Sequence, residues 1–140
     1  MSPFATCLIA LLLAGQAPTP EIPPELRTVA EKSGYAETAR HAEVEAICRA
    51  LATRHPNASL GELGRTNEGR SIPLLVLADP PIRSAADAKR SGKLVVLAIG
   101  NIHAGEVCGK EALPMLAREI LDRPGHPLLK DIVLVLAPIY

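Results

Sequence analysis

Aromatic residues are nearly missing from this 140-residue chain: Phe4, Tyr35 and Tyr140 are all it has, and there is no Trp. Such a sequence offers no stacking platform for single-stranded nucleic acid. It also lacks an excess of charge of either sign, because Lys+Arg 15 balance Asp+Glu 15. That balance removes the electrostatic case for nucleic acid or an acidic membrane surface as partner. Cysteines are few, and Cys7, Cys48 and Cys108 lie too far apart to form a disulfide framework. Cys48 and Cys108 read as small buried hydrophobes. A Gly-rich phosphate loop, a G-x-S-x-G elbow and the H-E-x-x-H of many metalloproteases are all missing.

What is present is a hydrophobic content of 48% beside 21% charged residues, the balance of a packed globular domain. A chain of this length buries roughly two-thirds of its unfolded surface and forms one domain rather than two. The run FATCLIALLLA from Phe4 to Ala14 is too short for the roughly 20 residues of a spanning helix. The small residues of Gly15-Gln16-Ala17 follow it, so residues 1–17 are read as a signal peptide. This predicts a secreted or periplasmic protein with no stable membrane insertion after cleavage. Residues 18–34 then read as a Pro-rich linker, PTPEIPP, running into a short helix opened by Pro24-Glu25-Leu26 and closed by Gly34.

Residues 35–140 read as an α/β arrangement. A helix is expected from Thr38 as N-cap to Arg54, stopped by His55-Pro56, with Ala39, Ala42, Ala46, Ile47, Ala50 and Leu51 on its apolar face. A hairpin is expected next, with arms Ser59–Arg65 and Ser71–Asp79. Asn67 and Gly69 would supply positive φ in its turn, and Pro73 would place the second arm at an edge or bulge. A polar connection from Pro80 to Gly92 leads to LVVLAIG, whose unbroken apolar character predicts a strand covered on both faces. A helix from Glu106 to Asp122 and a second buried strand, Asp131–Ile139, complete a βαβ unit. With no later strands, the edges of Asp131–Ile139 and its neighbour are expected to promote aggregation.

The segment IGNIHAGEVCGKEA, Ile99 to Ala112, places His103 and Glu106 three residues apart, just past the C-terminal end of a buried strand. Open α/β sheets bind ligands at that edge. At this spacing imidazole and carboxylate share one face of a first helical turn, and both are ordinary zinc ligands. Gly105 between them is expected to allow an unusual backbone conformation, and Glu106 to gain from the helix dipole. The bland alternative is that Glu106 caps the helix and His103 is a surface loop residue. Elsewhere, Glu37, His41 and Glu45 form a row spaced by four, which reads as a solvated helix face. His55 reads as a cation suited to a helix C-terminus, and His126 lacks an acidic partner nearby in sequence.

In order, ELGRTNEGRSIPLLVLAD, KLVVLAIG, NIHAGEVCGKEA and the closing LAPIY resemble the zinc carboxypeptidases of the carboxypeptidase A type, peptidase family M14. The resemblance spans Glu37 to Tyr140. It implies the N-terminal half of a mixed-sheet zinc carboxypeptidase-like domain with flanking helices, truncated here. It also implies Zn2+ as cofactor, His103 and Glu106 as the first two of three protein ligands, and a peptide or protein C-terminus as substrate. The family's third ligand, its general base and its carboxylate clamp lie downstream of Tyr140, so none of these 140 residues is assigned a catalytic role. His126 stands too close to His103 to be the third ligand. Gly105 occupies a position where many members carry an Arg that binds substrate. The expectation is therefore a fragment of a metallocarboxypeptidase that binds zinc weakly and is inactive alone. The alternatives are a zinc-dependent deacylase of N-acyl amino acids and a non-catalytic binding remnant.

Overall fold

The computed structural model describes residues 21–140. The signal peptide expected over 1–17 and the first residues of the expected linker lie outside the described residues. From Pro24 the chain is already part of the packed body. The expected short helix is two pieces, a 3-10 turn at Pro24–Leu26 and α1 at Val29–Lys32. Thr28 accounts for the split: its hydroxyl accepts from the Glu31 N–H (3.2 Å), and its own N–H donates to the Glu31 carboxylate (2.9 Å). This reciprocal capping box starts a new helix where Pro24 would otherwise have continued one. Gly34 and Tyr35 then reverse the chain with φ of 62° and 67°.

Helix α2 runs His41–Arg54, later than the expected start at Thr38. Thr38 does not cap it, because its hydroxyl donates instead to Glu111 on a distant helix (2.9 Å). The buried face is also shifted, to Val44, Ile47, Cys48 and Leu51, with Ala42 and Ala46 in solvent. Larger side chains win the core because burial scales with apolar area, and an Ala face contributes little.

Strands β1 (Ala58–Arg65) and β2 (Ser71–Leu77) form the hairpin. Its turn places only Gly69 at positive φ (78°). The Thr66 hydroxyl secures the turn in place of Asn67, accepting from the N–H groups of Glu68 and Arg70 (3.3 and 3.2 Å). The register slips between Glu62 and Gly64, opposite Pro73, which is the bulge a strand proline requires. The connection after β2 contains a helix the sequence did not announce, α3 at Ala85–Ser91, capped by Ser84 and ended by left-handed Gly92. β3 is Leu94–Ile99, α4 is Cys108–Leu121, α5 is Leu128–Asp131 and β4 is Ile132–Ala137.

The sheet order is β1-β2-β4-β3, with β3 and β4 parallel and the other pairs antiparallel. Leu75, Leu77, Leu134 and Leu136 belong to one core with Ile47 and Leu51 of α2 and Ala117, Ile120 and Leu121 of α4. The opposite face is partly covered, by Ile82 and Ala88 against Val133 and Val135. Two expectations are corrected here. β4 is an inner strand, paired on both sides. β3 is an edge strand among the described residues, with β1 at the opposite edge, and it is not covered on both faces: Leu94 is 67% exposed, with Val95, Leu97 and Ile99 also in solvent. An unbroken apolar run reports the burial that a strand demands, not which neighbour supplies it. Lys93 does not guard this edge, because its ammonium donates to the carbonyls of Asp79 and Leu129.

The N-terminal segment is fastened to α4 by buried charge. The Glu111 carboxylate accepts from the N–H groups of Ala30 (3.2 Å) and Ala39 (2.5 Å) and from the Thr38 hydroxyl. Arg118 pairs twice with Glu31 (2.8 and 2.5 Å) and donates to the Leu26 carbonyl (2.6 Å). The Arg118 bonds hold the Glu31 carboxyl below its ordinary value of 4.5. For Glu111, burial pushes the carboxyl upward, but the donors from Ala39, Ala30 and Thr38 outweigh it and the net shift is downward.

A carboxylate with a depressed folded pKa contributes its full stability above about pH 4.5 and loses it as pH falls through the lowered value. Urea midpoints should therefore fall between about pH 5 and pH 3. Glu111→Ala should cost about 2–4 kcal/mol at neutral pH, because it strands three donors, and should flatten part of that acid slope. At the open edge, Leu97→Lys should reduce concentration-dependent association of the 140-residue chain, read by sedimentation.

Candidate metal centre

The site begins where β3 and α4 meet. Gly100, which follows β3, donates its N–H to the Ala137 carbonyl (2.9 Å) and so extends the parallel pairing by one bond. A Cβ built on Gly100 would lie 2.8 Å from both the Gly109 carbonyl carbon and the Pro138 oxygen. A Cβ on Gly109 would lie 2.8 Å from the Gly100 Cα. Both contacts are with backbone, which cannot step aside, so only glycine at both positions lets the first turn of α4 rest on the strand end. The chain between must leave and return within a few residues. It turns at Asn101, which adopts a left-handed φ of 56°.

His103 and Glu106 lie at the tip of that excursion. The Glu106 N–H donates to the His103 carbonyl (2.9 Å), which closes a turn. The side chains then meet, with His103 Nδ1 2.9 Å from Glu106 Oε2. Both are open to water, at 76% and 68% side-chain exposure. Neither is in a helix: α4 starts at Cys108, so the expected shared helical face is replaced by a tight turn with the same result. Gly105 is not the special position it was expected to be. Its φ is not left-handed, and an added Cβ would meet nothing within 4 Å. Beside the pair lies a small hollow of about 310 Å³ lined by Ile99, Gly100, Asn101, Ile102, Glu106 and Cys108.

The pair's spacing suits a shared cation. Two donors at about 2.0–2.2 Å from a tetrahedral zinc are roughly 3.3–3.6 Å apart, about half an ångström more than they are here. A cation between them would replace this direct approach of nitrogen and oxygen. Among the described residues, no group of three His, Cys, Asp or Glu is arranged to hold a metal. This turn brings together two side chains whose chemistry could serve a metal, His103 and Glu106.

The remaining candidates are elsewhere. Glu37, His41 and Glu45 do not converge: His41 Nε2 donates to the Ser71 carbonyl (2.6 Å), and Glu45 pairs with Arg49 (3.0 Å). His55 is mostly buried, 3.5 Å from Asp122. Burial lowers its pKa against the pull of Asp122, which disfavours the cation expected at a helix end. His126 Nδ1 accepts from the Leu128 N–H (3.2 Å), serving the start of α5. Among the described residues, Cys48 and Cys108 are free thiols. Cys48 is buried, which pushes its pKa up to about 12. Cys108 is exposed, contrary to its reading as a core residue, because it opens α4 on the outer side of the Gly100–Gly109 contact.

The zinc carboxypeptidase family model matches residues 44–140. Among solved structures, carboxypeptidase A from Helicoverpa armigera superposes with a TM-score of 0.60 at 24% identity, covering 72% of this chain and 24% of that one. A metallo-carboxypeptidase from Burkholderia cenocepacia gives 0.52 at 27% identity, covering 68% and 25%. Thrombin activatable fibrinolysis inhibitor shares the fold at 17% identity, with a TM-score of 0.56 over 84% of this chain and 28% of its own. The chain thus spans about a quarter of the length of the solved structures it matches. No curated protein matches it.

The glycine contact yields a contrast. Gly100→Ala should cost about 1–3 kcal/mol in thermal or urea unfolding, because the backbone it strikes has nowhere to go. Gly105→Ala should leave stability unchanged, or raise it by up to about 1 kcal/mol through the unfolded state.

Proposed function

The chain belongs to the zinc carboxypeptidase family, and from that premise we propose that residues 35–140 are the N-terminal part of a metallocarboxypeptidase domain acting on the C-terminal peptide bond of peptides or proteins. In this reading His103 and Glu106 are two of the protein ligands to Zn2+. The observation that carries it is the 2.9 Å approach of His103 Nδ1 to Glu106 Oε2 just beyond the C-terminal end of β3. A bound zinc ion would polarise the scissile carbonyl and lower the pKa of a water to about 7. The part these residues play is to hold: imidazole and carboxylate are presented together on a turn fixed by the Gly100–Gly109 contact.

The deacylase alternative is not favoured, because the matching family and the structures above are carboxypeptidases. A signal peptide at 1–17, a linker and short helix at 18–34, and a secreted or periplasmic location complete the reading. No helix among the described residues is long and apolar enough to cross a membrane. Gly105 leaves substrate preference unassigned. Because catalysis by a mononuclear zinc needs a third protein ligand and a proton acceptor, the 140 residues alone are proposed to bind zinc weakly and to hydrolyse nothing.

Calorimetric titration with Zn2+ tests this. The unaltered chain should bind, and His103→Ala and Glu106→Ala should each weaken binding at least about tenfold, or 1.4 kcal/mol. Equal affinity in all three proteins would sink the metal site.

A further inference from the structure

We propose that Asn101 is the positioning residue of the His103–Glu106 pair. Resting on the metal-site reading above, it adds a residue that acts through the loop backbone rather than as a ligand. Three observations converge on it. Asn101 takes a left-handed φ of 56°, a conformation that side chains rarely adopt and that Asn and Gly tolerate best. The chain turns there from the end of β3 into the exposed loop. The Asn101 carboxamide nitrogen then reaches forward over that loop, donating to the carbonyl of His103 (2.9 Å) and more weakly to that of Ala104 (3.4 Å).

The His103 carbonyl is the shared element. It accepts from Asn101 on one side and from the Glu106 N–H (2.9 Å) on the other. One oxygen thereby ties the start of the loop to the residue bearing the carboxylate and leaves the His103 side chain on the outside of the turn. Remove the carboxamide and the turn keeps a single bond in water, too little to hold the exposed loop between β3 and α4. A metal site whose ligands must first be collected from a wandering loop binds more weakly by the cost of that collection. Other side chains do not replace it: Asp has the same shape and tolerates the same φ, but offers no donor and would face two carbonyl oxygens with a negative charge.

The test uses the 140-residue chain with Zn2+ as the probe, and solvent exchange of the Glu106 amide, followed by NMR without metal. Asn101→Gly keeps the backbone conformation and removes the clamp; Asn101→Asp keeps the shape and reverses the polarity. Both should weaken Zn2+ binding about tenfold and speed Glu106 exchange about tenfold, while amides of β4 exchange as before. If His103→Ala and Glu106→Ala impair binding but both Asn101 variants bind like the unaltered chain, the positioning role is overturned and the metal site stands. If none of the variants differs from the unaltered chain in Zn2+ affinity, the metal-site reading fails. Exchange at Glu106 then decides: acceleration in Asn101→Gly supports the clamp, and an unchanged rate overturns it.

Discussion

The geometry of the site depends on one contact, the backbone of Gly109 resting on the backbone of Gly100 with no room for a Cβ on either. Hard-sphere repulsion makes this an all-or-nothing arrangement. With glycine at both places, the axis of α4 can approach the sheet edge at its first turn. With any side chain the helix must lift, and the loop from Asn101 to Val107 would be drawn out with it. The short excursion, the left-handed turn at Asn101 and the meeting of His103 with Glu106 all follow from a strand and a helix whose ends touch.

Contact at one end would still leave α4 free to pivot, and the rest of the helix is fixed by charge. Glu111 and Arg118 both face the N-terminal segment, and each is almost fully buried. Buried ions are weak sources of net stability, since desolvation cancels much of their attraction. Their value lies in direction: a carboxylate with three donors, or a guanidinium between a carboxylate and a carbonyl, is satisfied in one orientation only. The apolar contacts of α4 with α2 and the sheet supply most of the adhesion and tolerate sliding. The two charged residues do not tolerate it.

How much of this was legible depended on whether the cause was local. The two strands around α4 and the hairpin could be read because each rests on neighbouring residues, whereas the H-x-x-E spacing was visible but the non-helical turn that carries it was not. The bulge at Pro73 was legible for the same reason. Glu111 and Arg118 were not, because their partners lie 72 to 92 residues away and nothing in a Glu or Arg on a helix announces a distant donor. Gly105 drew attention because it sits between His103 and Glu106, yet Gly100 and Gly109 make the close strand–helix contact, and only the packing of strand on helix shows it. The shift of the α2 buried face from Ala42 and Ala46 to Val44 and Cys48 has a similar origin. Periodicity gives the spacing of a stripe, and the partner surface selects which stripe.

The exposure of the pair bears on its strength. His103 and Glu106 stand mostly in water, where the attraction between a carboxylate and a cation is screened by a dielectric near 80. On the proposed reading, two well-placed groups this exposed would make only a weak site. The same two groups in a drier setting would attract a cation several times more strongly with no change in their own geometry. The turn therefore supplies placement, which a rigid loop provides cheaply on an open edge. Strength must come from whatever excludes water there. The apolar side chains of Val95, Leu97 and Ile99 lead along β3 to the same edge, so a surface that covered them would also lower the polarity around the pair. Ligand geometry and site dryness are thus separable properties of this fold, and the described residues build the first of them.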